Sequence, residues 1–173
     1  MEGRWEEDQW SAKVFSERAE RMKADDLKRR SGRKIIRKSE VNWQWEPNNG
    51  IWVTGLVTRE MGFENRIIEV DMHVLPPGSH SITHKHNEAI LHILRGQGYT
   101  LIDEERFDWS AGDTVYIPIG AWHQHFNLES GEPAVILAIK PIPLQEYLGE
   151  VHIERKGDKP KINETWKPDS LGF

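Results

Sequence analysis

Between residues 51 and 139 the chain is written in short strand-like segments, each closed by glycine, proline or an acidic turn. Ile51–Val57 is rich in β-formers. Residues 65–75 alternate, with Val70, Met72 and Val74 on one face, Glu69, Asp71 and His73 on the other, and Pro76-Pro77-Gly78 as the closing turn. Residues 89–94 form a mixed apolar run, and 99–102 and 106–109 flank Asp103-Glu104-Glu105 as a hairpin. Thr114–Ile117, 123–128 and 134–139 follow; the last has no polar face and is expected to be buried on both sides. Segments this short, at this spacing, call for an all-β barrel or sandwich.

The flanks differ. Residues 5–30 are charged, with Trp5, Trp10, Val14, Phe15, Met22 and Leu27 at steps compatible with one helical stripe, and Gly32 ends the pattern. Basic residues cluster in 28–38, a solvated face in a chain of net charge −5 and pI near 5.9. Beyond Gly149 the chain turns polar, through Lys156-Gly157-Asp158-Lys159-Pro160. The organisation expected is an N-terminal amphipathic helical arm (1–34), a β-domain (35–149) and a polar C-terminal tail (150–173). The acidic balance argues against nucleic acid or an anionic membrane as partner. With no cysteine there is neither a disulfide framework nor a thiolate metal site, which fits a reducing cytoplasm. The N-terminus has no apolar signal-peptide region, and no apolar run approaches the ~20 residues of a membrane helix, so a cytoplasmic location is expected.

The histidines carry the chemistry. His84 and His86 are two apart, so on a strand they share a face. His123, from a later strand, can complete a three-histidine set. Imidazole suits first-row transition metals, and three such ligands leave positions open for substrate or dioxygen. His125 shares the face of His123 and is a candidate fourth ligand, general base or hydrogen-bond donor; an imidazole is poised for proton transfer near neutrality. Glu88, two residues beyond His86, is the nearest carboxylate, a candidate catalytic group or else a solvent-facing loop residue. His92 is out of phase with Ala89, Leu91 and Ile93 and belongs on the opposite face; His73 and His80 read as strand-end residues. Trp109, Trp122 and Phe126 read as packing.

These residues resemble the cupin superfamily. Its second motif, G-x5-P-x-G-x2-H-x3-N, is matched at every spacing by Gly112, Pro118, Gly120, His123 and Asn127. Its first, G-x5-H-x-H-x3/4-E-x6-G, is matched by Gly78, His84, His86 and Gly96, but neither Ala89 nor Ile90 supplies the glutamate, and the block is one residue short there. The resemblance implies a single-domain jelly roll with a mononuclear divalent metal on His84, His86 and His123: iron(II) first, with manganese, nickel or zinc as alternatives. The texture Gly98-Tyr99, Asp108-Trp109, Gly112-Asp113 and 122–127 is similar to cupins related to gentisate-type ring-cleaving enzymes. It implies an iron(II) dioxygenase acting on a small oxygen-bearing substrate. The alternatives are a metal-dependent lyase, isomerase or decarboxylase, in which the metal is a Lewis acid, and a non-catalytic cupin that binds a small ligand. A homodimer is also expected, with residues 34–45 pairing to a neighbouring copy.

Overall fold

The computed structural model describes residues 7–158, 160 and 166–168, with side chains from residue 12 onward; Trp5 and the rest of the expected arm before Glu7, and most of the segment beyond 158, lie outside the described residues. Strands β1 (Gln44–Glu46), β2 (Ile51–Val57), β3 (Glu69–Leu75), β4 (Thr83–His86), β5 (Ala89–Arg95), β6 (Gln97–Ile102), β7 (Glu105–Ser110), β8 (Thr114–Ile117), β9 (His123–Asn127), β10 (Ala134–Lys140) and β11 (Ile153–Lys156) form two sheets. Helices α1 (Glu7–Ser31) and α2 (Ile142–Leu148) complete the fold. The sheet orders are β1-β2-β3-β10-β5-β8 and β11-β4-β9-β6-β7, with every pairing antiparallel. This is a jelly-roll sandwich, as expected. No helix among the described residues is long and apolar enough to cross a membrane.

Local chemistry sets the elements. Asp103 and Glu104, both at positive φ (46° and 75°), make the two-residue turn between Ile102 and Glu105; this primed geometry matches the twist of the flanking strands. β10 is buried on both faces, as its unbroken apolar sequence requires. Ala134, Ile136 and Ala138 join Leu75, Leu91, Ile93, Ile117 and Trp109 between the sheets, while Val135 packs outside with Met72 and Val74. That outer layer is covered by Val41, Trp43, Trp52, Leu56, Leu137 and Trp166.

The layering reverses the face of β3. Residues directly opposite one another on antiparallel strands share a face. His73 lies opposite Ile136 and Asp71 opposite Ala138, so the charged side of β3 points between the sheets and its apolar side points out, under the tryptophans.

Three expectations about the flanks are revised. α1 forms, but Phe15, Met22 and Leu27 of its apolar stripe are 63%, 65% and 67% exposed; charges tie it to the sandwich, through Lys28 to Glu64 (3.2 Å) and Asp25 to Arg66. Within the segment read as a polar tail, β11 adds an edge strand beside β4. The stretch 34–45 turns through a short 3-10 helix (Lys38–Glu40), packs Val41 and Trp43 on its own sheet, and leads into β1, which pairs with β2 of the same chain. β1 is the edge strand of that sheet, paired with β2 on one side only, and the homodimer expected from this stretch stays a proposal.

Gly98 on β6 is where the packing tolerates no side chain. A Cβ there would stand 2.0 Å from the carbonyl oxygen of Phe126 and 2.5 Å from the Trp109 ring. The Gly98→Ala variant is therefore expected to lose stability at the upper end of the overpacking range, about 1–3 kcal/mol, measured by urea titration. Wild-type stability in that variant would show that both the β9 backbone at Phe126 and the Trp109 ring can give way.

Candidate metal centre

β4 and β9 run side by side with His84 opposite His123, and period two places His86 and His125 on the same inward face. The His84 and His123 rings are 4.2 Å apart between centroids, His86 and His123 4.6 Å, and His84 and His86 5.3 Å. One nitrogen from each of these three lies within 4.8 Å of the others.

Backbone carbonyls decide which nitrogen is available. His84 Nδ1 contacts the carbonyl of Ile82 at 2.9 Å, His123 Nδ1 that of Ala121 at 2.9 Å, and His86 Nδ1 that of Asn87. A carbonyl only accepts, so each Nδ1 carries the proton and each Nε2 presents a lone pair. The Nε2 atoms of His86 and His123 stand 3.2 Å apart. Two acceptors that close repel unless a cation lies between them. Nitrogens about 2.0–2.1 Å from a common ion, at near-octahedral to tetrahedral angles, are separated by roughly 2.9–3.4 Å. The donor set therefore fits a divalent transition metal.

Burial keeps the set neutral. Desolvation, reinforced by neighbouring imidazoles, pushes His84 down to about 2 and His123 down to about 4, and burial lowers His86 as well. The ligand nitrogens are free of protons at neutral pH.

His125 is brought into the same interior, with its ring 5.4 Å from His123 and 6.0 Å from His84, but its nitrogens are not part of the converging set. Its Nδ1 lies 2.9 Å from the Thr100 hydroxyl, which accepts the indole N–H of Trp109 at 3.0 Å. Thr100 has its own proton to give, so His125 is held with Nε2–H free to donate. Burial lowers its pKa well below the ordinary value, which suits a neutral donor better than a proton shuttle. Glu88 is not brought to the site. It is exposed and accepts a hydrogen bond from the Tyr116 hydroxyl at 3.0 Å. The turn between His86 and Glu88 is pinned by Asn87, which is buried, donates to the carbonyl of Glu150 (2.6 Å) and accepts from the backbone N–H of His152 (3.2 Å), with Glu88 on the outer side. His92 faces away, against Thr114, as expected.

Sequence reasoning missed the opposite wall. Lys140 Nζ donates to Asp71 Oδ2 at 2.6 Å and lies 3.5 Å from Glu69 Oε1; His73 Nε2 lies 3.3 Å from Asp71 Oδ1. Burial pushes the Lys140 pKa down, but the two carboxylates outweigh it and raise the net value. Burial likewise opposes ionisation of Asp71, and His73 and Lys140 outweigh it, holding the carboxyl below its usual range. His73 and Asp71 lie opposite Ile136 and Ala138, whose side chains are in the core between the sheets, so this wall faces the interior. The signal was the alternation of Glu69, Asp71 and His73, together with a lysine ending an otherwise apolar strand. Period two does not say which face is the inner one. A pocket of about 550 Å³ opens beside His86, between Ile119, Gly120, Gln145 and Leu148. A larger groove of about 690 Å³, between β7 and β8, touches none of the four histidines.

Residues 71–140 match the model of the cupin domain family. The chain is 33% identical over 99 residues to gentisate 1,2-dioxygenase of Ralstonia sp, covering 56% of this chain and 27% of that protein. It is 27% identical over 77 residues to 5-aminosalicylate 1,2-dioxygenase of Comamonas sp, covering 44% and 20%. The chain thus spans about a quarter or less of these dioxygenases. Salicylate 1,2-dioxygenase from Pseudoaminobacter salicylatoxidans superposes with a TM-score of 0.57 at 15% identity, covering 63% of this chain and 30% of that one. The polyketide cyclase RemF from Streptomyces resistomycificus superposes with a TM-score of 0.56 at 14% identity, covering 67% and 93%. The shared element at these identities is the cupin fold.

Two outcomes are expected. A metal that binds only the folded chain, at a hundred times its Kd, adds about 2.7 kcal/mol and should raise Tm by roughly 5–10 °C over the chelated protein. In the metal-free protein the folded values of His84 and His123 lie below the unfolded value near 6.5, so the unfolded chain binds more protons below that pH. Their contribution is present above pH 6.5 and falls by up to about 1.4 kcal/mol per pH unit per imidazole as pH drops towards 4. Denaturant titrations of chelated protein at pH 7 and pH 5 measure this; equal stabilities would mean that the imidazoles are not buried neutral.

Proposed function

We propose that the chain is a mononuclear metal-dependent dioxygenase that acts on a small molecule bearing two chelating oxygens, with iron(II) on His84, His86 and His123. The observation that carries the reading is the set of three Nε2 lone pairs, each fixed by a carbonyl behind it, with no carboxylate among them. Similarity to the gentisate and 5-aminosalicylate dioxygenases over the segment that holds the motifs supports the same class.

Iron bound there would supply a redox centre able to hold dioxygen and the substrate's oxygens together. The chain's own residues do the rest. Three neutral ligands leave the positive charge of the ion uncompensated, so an anionic chelating substrate is favoured over a neutral one. His125 offers an Nε2–H to an oxygen bound near the centre, held in line by Thr100 and Trp109. Asn87 pins the turn that carries Glu88, whose carboxylate lies on the outside against Tyr116. The pocket beside His86, lined by Ile119 and Leu148, is the proposed way in for the substrate.

The test is metal analysis of untagged protein followed by oxygen-electrode assays with gentisate and salicylate. About one iron per chain and oxygen uptake that stops on chelation are expected, while the His123→Ala variant should lose both metal and uptake yet remain folded by circular dichroism. Full metal occupancy in that variant would overturn the ligand assignment. Equal turnover under argon would move the chain to the Lewis-acid class of lyases and isomerases.

A further inference from the structure

Two side-chain amides stand in the walls of the pocket beside His86, and they are used differently. Asn87 is engaged at both ends, by the carbonyl of Glu150 and the N–H of His152. Gln145 is only 8% exposed, yet among the described residues its amide makes no hydrogen bond at either end, and Oε1 is shut off from solvent. Its backbone is already occupied: the N–H donates to the carbonyl of Pro141, and the carbonyl accepts from the N–H of Glu150. The helix α2 and its cap therefore hold without the side chain. A buried amide oxygen with no donor is destabilising, and a leucine of similar volume carries no such cost. The remaining walls are apolar or paired among themselves. Ile119 and Leu148 supply hydrocarbon and are 72% and 59% exposed. Lys85 is paired with Glu154 at 2.9 Å, and His152 lies 3.6 Å from Glu150, so each base in the wall has an acid beside it. What the wall leaves unmet is hydrocarbon and one uncharged amide. At about 550 Å³ the pocket falls in the range of sites for small organic ligands, about 300–1,000 Å³, with room for more than a single ring.

We propose that this pocket holds an uncharged arm of the chelating ligand, and that Gln145 selects a hydrogen-bonding group on that arm. The proposal rests on the reading of the three histidines as a centre for chelating ligands. His86 joins the two regions: it belongs to the converging set, it lines the pocket, and it is the least buried of the three. A chelating molecule that enters by this pocket leaves its substituent there, against Ile119, Leu148 and Gln145. A primary amide both donates and accepts, and a half-turn about its last torsion exchanges the two ends, so it can meet an amide, an ester or a hydroxyl on the arm. A charged arm is disfavoured, since Gln145 has no charge to compensate it in a largely desolvated position. A purely apolar arm gains from burial against Ile119 and Leu148 but leaves the Gln145 amide unmet.

The experiment uses the iron(II)-loaded full chain under argon and three probes that share one chelating end. Catechol has no arm, 4-butylcatechol has an apolar arm, and N-acetyldopamine has an arm that carries an amide. Isothermal titration of the wild type should show both arms tightening binding roughly tenfold or more over catechol, since each buried methylene is worth about fourfold. Gln145→Leu keeps the volume and removes the amide. That variant is expected to melt no lower than wild type in the metal-free state and to take up as much iron. It should shift the ratio of the two arm affinities about 5- to 150-fold towards the butyl arm, the range for leaving a hydrogen-bonding group unpaired. Leu148→Ser, at an exposed position, should weaken both arms by a similar factor relative to catechol. An affinity ratio unchanged in Gln145→Leu, a lower melting temperature in that variant, arms insensitive to Leu148→Ser, or arms that add nothing over catechol in the wild type overturns the inference and leaves the proposed function standing. Failure of the iron-loaded wild type to bind catechol overturns the proposed function, and this inference with it.

Discussion

Three hydrogen bonds from imidazole Nδ1–H groups to backbone carbonyls set the chemistry of this molecule. The acceptors, Ile82, Ala121 and Asn87, are peptide groups in or beside the turns that deliver β4 and β9. Because a carbonyl cannot donate, it selects the tautomer without any help from side-chain ionisation. The same bonds orient the rings, and burial then keeps them uncharged. In many metal sites a carboxylate does this orienting work and adds its own charge; here the main chain does it, and the site keeps the full positive character of whatever ion it holds.

The two sheets contribute unlike halves. The β4–β9 side presents neutral imidazoles backed by Thr100 and Trp109, whereas the β3–β10 side presents fixed ions. The apolar mass that such a strand would normally contribute to the interior is moved outside, where Trp43, Trp52 and Trp166 cover Met72 and Val74. The sandwich thus has a second apolar layer beyond β3 and β10, and the covering tryptophans come from segments flanking the cupin stretch. This layering gives those flanks a structural purpose that their polar composition conceals.

How much was legible follows from what period and spacing can encode. The strands between residues 51 and 139, a hairpin turning at Asp103-Glu104-Glu105 (one residue longer than the turn observed) and the double burial of β10 were readable, because turn residues and alternation are local signals. His84, His86 and His123 were readable as one face, since two of them are separated by a strand period and the third sits in a fixed motif. The two readings of Glu88, catalytic group or solvent-facing loop residue, stayed open because its direction depends on Asn87, whose partners, Glu150 and His152, lie far along the chain. β11 was missed because its residues are exposed and polar, as an edge strand's can be. The inward wall escaped notice because alternation identifies two faces but leaves their assignment to tertiary packing.

β4 carries two of the three candidate metal ligands, yet it meets β9 at a single residue pair, His84 with His123, and meets β11 along its whole length, from Thr83 with Lys156 to His86 with Ile153. Arg155 fastens that outer strand to Asn49, and Lys156 lies over the Trp122 ring next to the third ligand. The rigidity of the ligand pair is therefore borrowed from a strand beyond the cupin stretch. A protein cut to residues 71–140 would keep every motif residue and lose the brace that holds two of them to their angle. The segment that matches the cupin model and the segment that holds the three histidines in place are not the same length of chain.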